Sequence, residues 1–191
     1  DDGIVIEGVS QVGYYCRVFY PTYTPGTYVT SSYFGNLGYA YPTALGAKVA
    51  RPDKAVVAVS GDGGFLYNSQ ELATAVKYGI NAVVIVFNDN AYGNVLRDQK
   101  MDFNGRTIGS ELHNPDFVKL AEAYGIPALR VADKADVGMA LAKACNQALT
   151  TAELRITKLQ KDYAAEAALA NARENLPFIH HTVAELDPSR T

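Results

Sequence analysis

Residues 55–63, AVVAVSGDG, and residues 82–90, AVVIVFNDN, are two apolar runs, and each ends in a short turn-forming segment. Between them, residues 69–78 form a helical stretch. Continuous apolar runs are typical of parallel strands that are covered on both faces. The pattern therefore predicts a β-loop-α-β unit in an α/β fold.

The polar ends of these two strands predict a binding site. A right-handed crossover places the carboxyl ends of both strands at one edge of the sheet, so we expect Asp62 and residues 88–90 to face each other across a gap one or two strands wide. Ligands bind at this edge in open α/β sheets. Oxygen-rich strand ends beside glycine backbone suit a hard divalent cation that carries a diphosphate.

The segments GDG at 61–63 and NDNAYG at 88–93 together resemble the thiamine-diphosphate motif. The resemblance covers residues 3–149, and more weakly 176–187. It is closest to the C-terminal pyrophosphate-binding domain of the acetolactate synthase and 2-oxoacid decarboxylase superfamily. It implies an open, mostly parallel sheet of about six strands with helices on both faces.

The resemblance implies a Mg²⁺ site made by three residues. Asp62 supplies one carboxylate, Asp89 supplies a side-chain oxygen where many relatives carry Asn, and Ala91 supplies a backbone carbonyl. Mg²⁺ usually combines one or two carboxylates with phosphate oxygens and water. Two alternatives stay open: Asp62 caps a turn, or residues 88–90 are ordinary turn chemistry.

The resemblance also implies which residues hold thiamine diphosphate. The glycine backbone at Gly63 and Gly64 lets N–H groups approach a phosphate. Gly35 would hold the pyrimidine through its carbonyl, and Leu37 would bend the cofactor into a V shape unless it is only a core residue. The other candidates lie at strand exits: Ser10, Gln11, Gly61, Tyr92 and Gly93. Ser10 and Gln11 fit a polar loop equally well, and Tyr92 fits plain packing.

The function that the resemblance implies is thiamine-dependent decarboxylation of a small 2-oxo acid, followed by protonation or transfer to a second carbonyl. Synthases of this type usually carry a tryptophan where this chain has Asp98, which favours plain decarboxylation or a different acceptor. No catalytic residue is expected within the chain, because the family's activating glutamate comes from a separate pyrimidine-binding domain or subunit. Glu7, Glu71 and Glu111 lie in the wrong elements. The alternative is a cofactor-binding module or split-enzyme subunit that is inactive without that partner.

An aromatic segment, residues 33–41, surrounds the expected pyrimidine contacts with Tyr33, Phe34, Tyr39 and Tyr41. Aromatic side chains are enriched at protein contacts and are costly to expose as one patch. We therefore expect this segment to be an interface with a partner chain or with a second copy in a homo-oligomer.

Further elements are predicted from pattern and turn chemistry. A capping box of Asn68 and Glu71 is expected to start the helix 69–78, and residues 94–114 are expected to be irregular. The other predicted strands are 4–7, a short one within 20–29, 128–131 and 177–183, and the other predicted helices are 12–19, 42–50, 115–124 and 135–149.

The length of 191 residues fits a single domain, 1–191, from which the pyrimidine-binding domain is absent. Residues 150–175 depart from the family pattern, because a second capping box and an apolar stripe predict an extra helix there. That helix would pack on the domain surface or contact a partner. The chain begins without Met, which suggests a fragment or a processed piece.

Bulk properties exclude some partners. A net charge of −3 and a pI near 5.6, with no basic run, argue against a nucleic-acid surface. No apolar run reaches membrane-span length and no signal peptide opens the chain, so a cytoplasmic enzyme without membrane contact is expected. Cys16 and Cys145 are far apart in sequence and are expected to be free thiols in a reducing compartment.

Overall fold

The structure is a computed structural model, and it describes residues 2–31 and 33–148. These residues fall within one compact unit, Asp1–Ala152. The predicted helix at 150–175 and the predicted strand at 177–183 lie outside the described residues. The assignment of 1–191 to a single domain therefore stays a prediction.

A sheet of four parallel strands organises the described residues. The strands are β1 (Ile4–Glu7), β2 (Tyr28–Thr30), β3 (Val56–Gly61) and β4 (Val83–Phe87), in the spatial order β2-β1-β3-β4. The chain moves from β1 to β2 on one side and then to β3 on the other, so the topological switch point lies between β1 and β3. The α/β class is confirmed, and the switch point is where such sheets bind ligands.

The helices connect these strands. They are α1 (Gln11–Phe19), α2 (Ala40–Ala50), α3 (Asp62–Leu66), α4 (Glu71–Tyr78), α5 (Gly93–Asp102) and α6 (Phe117–Ala123). A 3₁₀ turn at Lys134–Asp136 leads into a helix that extends from 137 to the last described residue. Gly79 ends α4 in the left-handed conformation with φ 58°, as a glycine cap does.

The core lies under α2 and α4. Ile6, Val56 and Ala58 of the sheet pack with Ala40 and Ala44 of α2. A second cluster joins α2, α3 and α4 through Tyr41, Leu45, Phe65, Leu72 and Ala75. This packing fixes β1 and β3 side by side, so the loops that leave them have a rigid base.

Three predicted elements differ from the structure. Residues 93–102 form α5, a surface helix with no buried residue. Because its sequence is polar, it lacks the apolar stripe by which a helix is recognised from sequence, and it was predicted to be irregular. Residues 128–131 pair with no strand within the described part of the chain, and Leu129 is 58% exposed. The capping box at Asn68 is wrong, because the Asn68 amide donates to the Gly38 carbonyl (2.8 Å) and α4 begins later, at Glu71.

The structure also bears on membrane-spanning helices and on the two cysteines. Among the described residues, no helix is both long and apolar enough to cross a membrane. Cys16 and Cys145 are both free thiols, as predicted.

Candidate functional site

Asp62 lies at the carboxyl end of β3, and it is 2% exposed. Its Oδ1 accepts a hydrogen bond from the Gly63 N–H (2.8 Å), and its Oδ2 accepts from the Asn90 N–H (2.7 Å) and from the Asn114 amide (2.6 Å). No ion pair within residues 2–31 and 33–148 includes Asp62. A buried carboxylate that meets only neutral donors carries an uncompensated charge, which a bound cation would balance.

The turn after β4 meets Asp62 directly. β3 and β4 are paired neighbours, so their ends lie one strand spacing apart. Asn90 has a φ of 58°, and this left-handed residue turns its N–H onto the Asp62 carboxylate. Asp89 Oδ1 accepts from the Ala91 N–H (3.2 Å), and Ala91 forms an antiparallel bridge with Glu111. The three predicted cation ligands therefore come from adjacent, fixed strand ends.

The exit of β1 reaches the same place. A Cβ built on Gly93 would lie 2.9 Å from Gln11 Nε2 and 2.9 Å from Asp89 Oδ2. A Cβ built on Gly61 would lie 3.5 Å from the Ser10 Cβ. The structure thus brings together five of the predicted site residues from the ends of β1, β3 and β4. Glycine at 93 leaves room between the side chains of Gln11 and Asp89.

The other predicted glycines have packing reasons of their own. A Cβ on Gly63 would lie 2.8 Å from Tyr92 Cδ1, so the Tyr92 ring lies flush against this backbone. A Cβ on Gly64 would lie 3.2 Å from Ser60 Oγ and 3.9 Å from Leu37 Cδ2. Gly64 therefore places Leu37 beside the start of α3. At both glycines the close contacts come from side chains of this chain, and the approach of a phosphate to this backbone stays a prediction.

Two side chains have partners that sequence reasoning did not foresee. The Ser10 hydroxyl caps α1 by accepting from the Gly13 N–H (3.1 Å). A hydrogen bond with Tyr67 raises the pKa of Tyr92, and burial adds to this shift. Both residues lie at the exits of their strands, and each makes a local contact there.

The aromatic segment, residues 33–41, divides into two parts. Tyr33 and Phe34 are 90% and 86% exposed and contact each other edge to face. Gly35 has a φ of 59°, and beyond its chain neighbours no atom of the described residues lies within 4 Å of where a Cβ would stand. Tyr41, by contrast, is 4% exposed and packs edge to face on Phe65, so its assignment to an exposed wall is wrong. Helical periodicity in α2 turns Tyr41 toward the core.

An open cleft of about 460 Å³ adjoins the strand ends. Predicted site residues form one wall, and α5 forms the other. The lining residues are Gln11, Asp89, Ala91, Gly93, Leu96, Arg97, Lys100 and Met101. The volume falls within the range for small-molecule sites.

Residues 8–152 match the family model described as "Thiamine pyrophosphate enzyme, C-terminal TPP binding domain". The match covers the whole sheet from the exit of β1 onward and every predicted site residue. The chain belongs to this family of thiamine pyrophosphate enzymes. The recognition made from the GDG and NDNAYG segments is confirmed.

Curated relatives of this TPP-binding domain are acetolactate synthase subunits. A probable acetolactate synthase large subunit of Methanococcus aeolicus is 37% identical over 144 residues, which are 75% of this chain and 24% of the relative. A probable large subunit of Methanocaldococcus jannaschii is 41% identical over 131 residues, 67% of this chain and 22% of the relative. The chain thus spans about a quarter of the length of the relatives it matches.

A solved structure shares the fold of the TPP-binding domain. The thiamine diphosphate-dependent 4-hydroxybenzoylformate decarboxylase of Rhodococcus jostii RHA1 superposes with a TM-score of 0.69 at 32% identity. The superposition covers 75% of this chain and 27% of that chain. The fold prediction is therefore confirmed by both sequence and structure.

Sequence reasoning missed three site residues, all after position 98. Gln99 of α5 accepts a hydrogen bond from the Ser110 hydroxyl (2.7 Å), and the Ser110 carbonyl in turn accepts from the Tyr92 N–H (2.8 Å). Asn114 bridges the ends of β3 and β4. Their signal in the sequence is weak, because contacts across 52 positions leave no local pattern around Asn114.

The donor set fits Mg²⁺. Within the described part of the chain, no three or more His, Cys, Asp or Glu side chains cluster as a complete metal cage. Two carboxylates and one carbonyl at Asp62, Asp89 and Ala91 supply hard oxygen donors, and Mg²⁺ commonly takes its other ligands from phosphate and water. A partial site of this kind suits a cation that arrives with a diphosphate.

Proposed function

We propose that this chain is the Mg²⁺- and diphosphate-binding part of an enzyme that uses thiamine diphosphate to decarboxylate a small 2-oxo acid. The observation that carries the proposal is the buried Asp62 carboxylate, which has no cationic partner in the described residues and adjoins the Asp89 turn. Membership of the TPP-binding family supports the cofactor. The cytoplasmic location stays part of the proposal.

The chain's own residues divide the work of binding. Asp62, Asp89 and the Ala91 carbonyl would hold the cation. Backbone at Gly61, Gly63, Gly64 and Gly93, together with Ser10 and Gln11, would hold the diphosphate. When bound, the cofactor supplies the carbanion chemistry that releases carbon dioxide from the 2-oxo acid.

A separate group of residues would orient the cofactor ring. Gly35 and Leu37 would contact the pyrimidine, and Leu37 lies beside Gly64, where it can set the bend of the cofactor. Tyr92 would pack at the side of the site. These residues would orient the cofactor and exclude water from it, and none of them would transfer a proton.

The activating carboxylate would come from a pyrimidine-binding domain or subunit. Glu7 is fully buried and paired with Arg17 (2.9 Å), so its carboxylate is already engaged. Glu71 begins α4, and Glu111 forms an isolated bridge with Ala91. The active assembly would be an oligomer, either of copies of the full-length protein or of two kinds of subunit.

Plain decarboxylation or transfer to a different acceptor is preferred over acetolactate synthesis. Asp98 lies on exposed α5 and pairs with Arg97, where the synthases usually carry a tryptophan that shapes the acceptor pocket. The names of the relatives include both reactions, so they support the family and leave the acceptor open. Efficient condensation of two pyruvates by the complete enzyme would contradict this preference.

The first test is binding. Calorimetry of the full chain with thiamine diphosphate should show saturable binding in Mg²⁺ and none after the cation is removed with a chelator. Absence of binding in Mg²⁺ would contradict the proposal, and undiminished binding with the chelator would contradict its cation part. Turnover of pyruvate and benzoylformate would then be measured with and without a supplied pyrimidine-binding domain. Activity only with that domain is expected.

The same experiment separates the second candidate function. A binding module that catalyses nothing would bind the cofactor in Mg²⁺ and stay inactive in both arms. The ion pair between Glu7 and Arg17 fits both an enzyme that needs the partner domain and a binding module without activity. Turnover by the chain alone would contradict both.

A further inference from the structure

Asn114 lies in the segment that precedes α6, far in sequence from the GDG and NDN segments. Its amide nitrogen donates one hydrogen bond to Asp62 Oδ2 (2.6 Å) and a second to Asn88 Oδ1 (2.7 Å). Asp62 follows β3 and Asn88 follows β4, so one side chain ties two neighbouring strand ends together. Both bonds are short for nitrogen donors.

The orientation of this amide follows from its partners. The Asp62 carboxylate only accepts hydrogen bonds, so the NH₂ group of Asn114 must face it, and an amide nitrogen has two hydrogens to give. Both hydrogens are used. The carbonyl oxygen of the same amide, Oδ1, is buried and has no donor within the described residues. Buried acceptors are nearly always satisfied, so this oxygen is available to a ligand or a water.

The helix that follows does not explain Asn114. The N-cap of α6 is Asp116, whose carboxylate accepts from the N–H groups of Val118 (3.0 Å) and Lys119 (3.3 Å). Asn114 contributes neither of these bonds. Its amide nitrogen therefore bonds to the two strand ends and takes no part in capping the helix.

We propose that Asn114 is a positioning residue for the cation, and this rests on the proposed function. Its two donated bonds hold the Asp62 carboxylate and the turn after β4 in the arrangement that a cation and its diphosphate need. Its unpaired Oδ1 is left to accept a hydrogen bond from the water that hydrates the bound cation. Outer partners of metal ligands act in this way and typically change metal affinity by about 10- to 100-fold.

The test measures cation affinity in the full chain, with Mg²⁺ titrated at a saturating concentration of thiamine diphosphate. Asn114→Leu keeps the size of the side chain and removes both hydrogen bonds and the unpaired oxygen, and Asn114→Ala is a second variant. We expect the Mg²⁺ concentration at half saturation to rise about 10- to 100-fold. The matched control is Asn81→Ala, a partly buried amide at the amino end of β4, which should leave that concentration unchanged.

Two further readouts separate positioning from a structural role. A structural role would lower the melting temperature without ligand and leave the Mg²⁺ affinity of the folded protein unchanged, an outcome that would overturn the proposal. Exposed Asn88 gives a variant that should fold: Asn88→Ala should weaken Mg²⁺ binding in the parent and have no further effect in Asn114→Leu. If the Asn114 variants do not fold, an unchanged affinity in Asn88→Ala overturns the proposal.

The outcomes distinguish the two proposals. If the parent chain does not bind thiamine diphosphate in Mg²⁺, the proposed function fails and this inference fails with it. If the parent binds and Asn114→Leu binds Mg²⁺ equally well, only the role of Asn114 is overturned.

Discussion

Two parts of the candidate site differ sharply in how far this chain completes them. The strand-exit cluster, defined by Asp62, Asp89, Asn90 and Asn114, is held by hydrogen bonds of 2.6 to 3.2 Å around a carboxylate that is 2% exposed. The aromatic segment places Phe34 in solvent at 86% exposure. One part is built by the chain's own contacts, and the other presents an apolar surface without a partner in the described residues.

The difference shows which part of the site needs side chains that the chain itself holds in place and which part can be completed by a partner. A cation site requires ligands fixed to within fractions of an ångström, which rigid strand ends provide. A flat aromatic contact gains its stability when a second surface covers it. The cation end is therefore expected to tolerate substitution poorly, and the aromatic end to tolerate it well until a partner is present.

The largest expected effect is at the centre of the strand-exit cluster. Asp62→Ala removes a cation ligand, so thiamine diphosphate binding in Mg²⁺ should weaken by more than about 100-fold, beyond the range for outer partners. It also leaves the Asn90 N–H and the Asn114 amide without their acceptor, which should lower the free energy of unfolding by about 1–3 kcal/mol. Calorimetry and urea unfolding measure the two effects.

The matched control for this variant is Asp53→Ala, which removes an exposed carboxylate that pairs with Arg51. Its cofactor affinity should equal that of the parent. Equal affinity in Asp62→Ala would show that the cluster is a structural turn and would remove the contrast between the two regions.

A smaller effect is expected from a methyl group placed inside the same cluster. A Cβ on Gly63 would overlap the Tyr92 ring, so Gly63→Ala forces the ring or the turn to shift and should cost about 1–3 kcal/mol of unfolding free energy. Gly46 of α2 has no atom within 4 Å of a new Cβ, and Gly46→Ala should stabilise the helix by about 0.5–1 kcal/mol. In urea unfolding, the changes in unfolding free energy of the two variants should have opposite signs. An unchanged unfolding free energy in Gly63→Ala would mean that the cluster is loosely packed.

An effect confined to alkaline pH is expected at Tyr41, which the structure places in the core. Burial, with a smaller contribution from Glu71, raises the pKa of Tyr41 from 10.0 to about 12. The folded state therefore holds this proton after the unfolded chain has lost it, so the contribution to stability is intact below pH 10 and is lost as pH rises from 10 to 12. The full loss is about 2–3 kcal/mol at 1.36 kcal/mol per pKa unit.

The measurement is urea unfolding at a series of pH values from 8 to about 12, comparing Tyr41→Phe with the parent. The difference in unfolding free energy should be constant up to pH 10 and should then move in favour of Tyr41→Phe. A difference independent of pH would mean that the hydroxyl is solvated, and the division of the aromatic segment would then be wrong.

The sequence predicted the parts of this site that depend on local pattern. Two apolar runs with GDG and NDN at their ends were enough for β3, β4 and the meeting of their carboxyl ends, because strand ends in parallel sheets meet by topology. The contribution of Asn114 could not be predicted from the sequence, because no local pattern marks a contact across 52 positions. Tyr41 was misplaced because a run of aromatic residues hides which of them a helix turns inward.

The smallest effect on stability is expected where the chain is most exposed. Replacing Tyr33 and Phe34 together by serine removes two side chains that contact mainly each other, so the unfolding free energy should change by no more than about 0.5 kcal/mol. Self-association should nevertheless decrease, because these side chains form the apolar surface that we expect a second copy or a partner to cover. Sedimentation velocity over a range of concentrations measures the change.

The matched control is Tyr23→Ser, since Tyr23 is 85% exposed in the loop before β2, at the amino edge of the sheet. It removes a similar aromatic surface far from the strand exits, so it should leave association unchanged. A parent chain that stays monomeric at every concentration, or an equal effect of Tyr23→Ser, would show that exposure at the aromatic segment is incidental. Loss of association only in the Tyr33 and Phe34 variant would instead place the missing contact beside Gly35 and Leu37, on the side of the site that this chain leaves open.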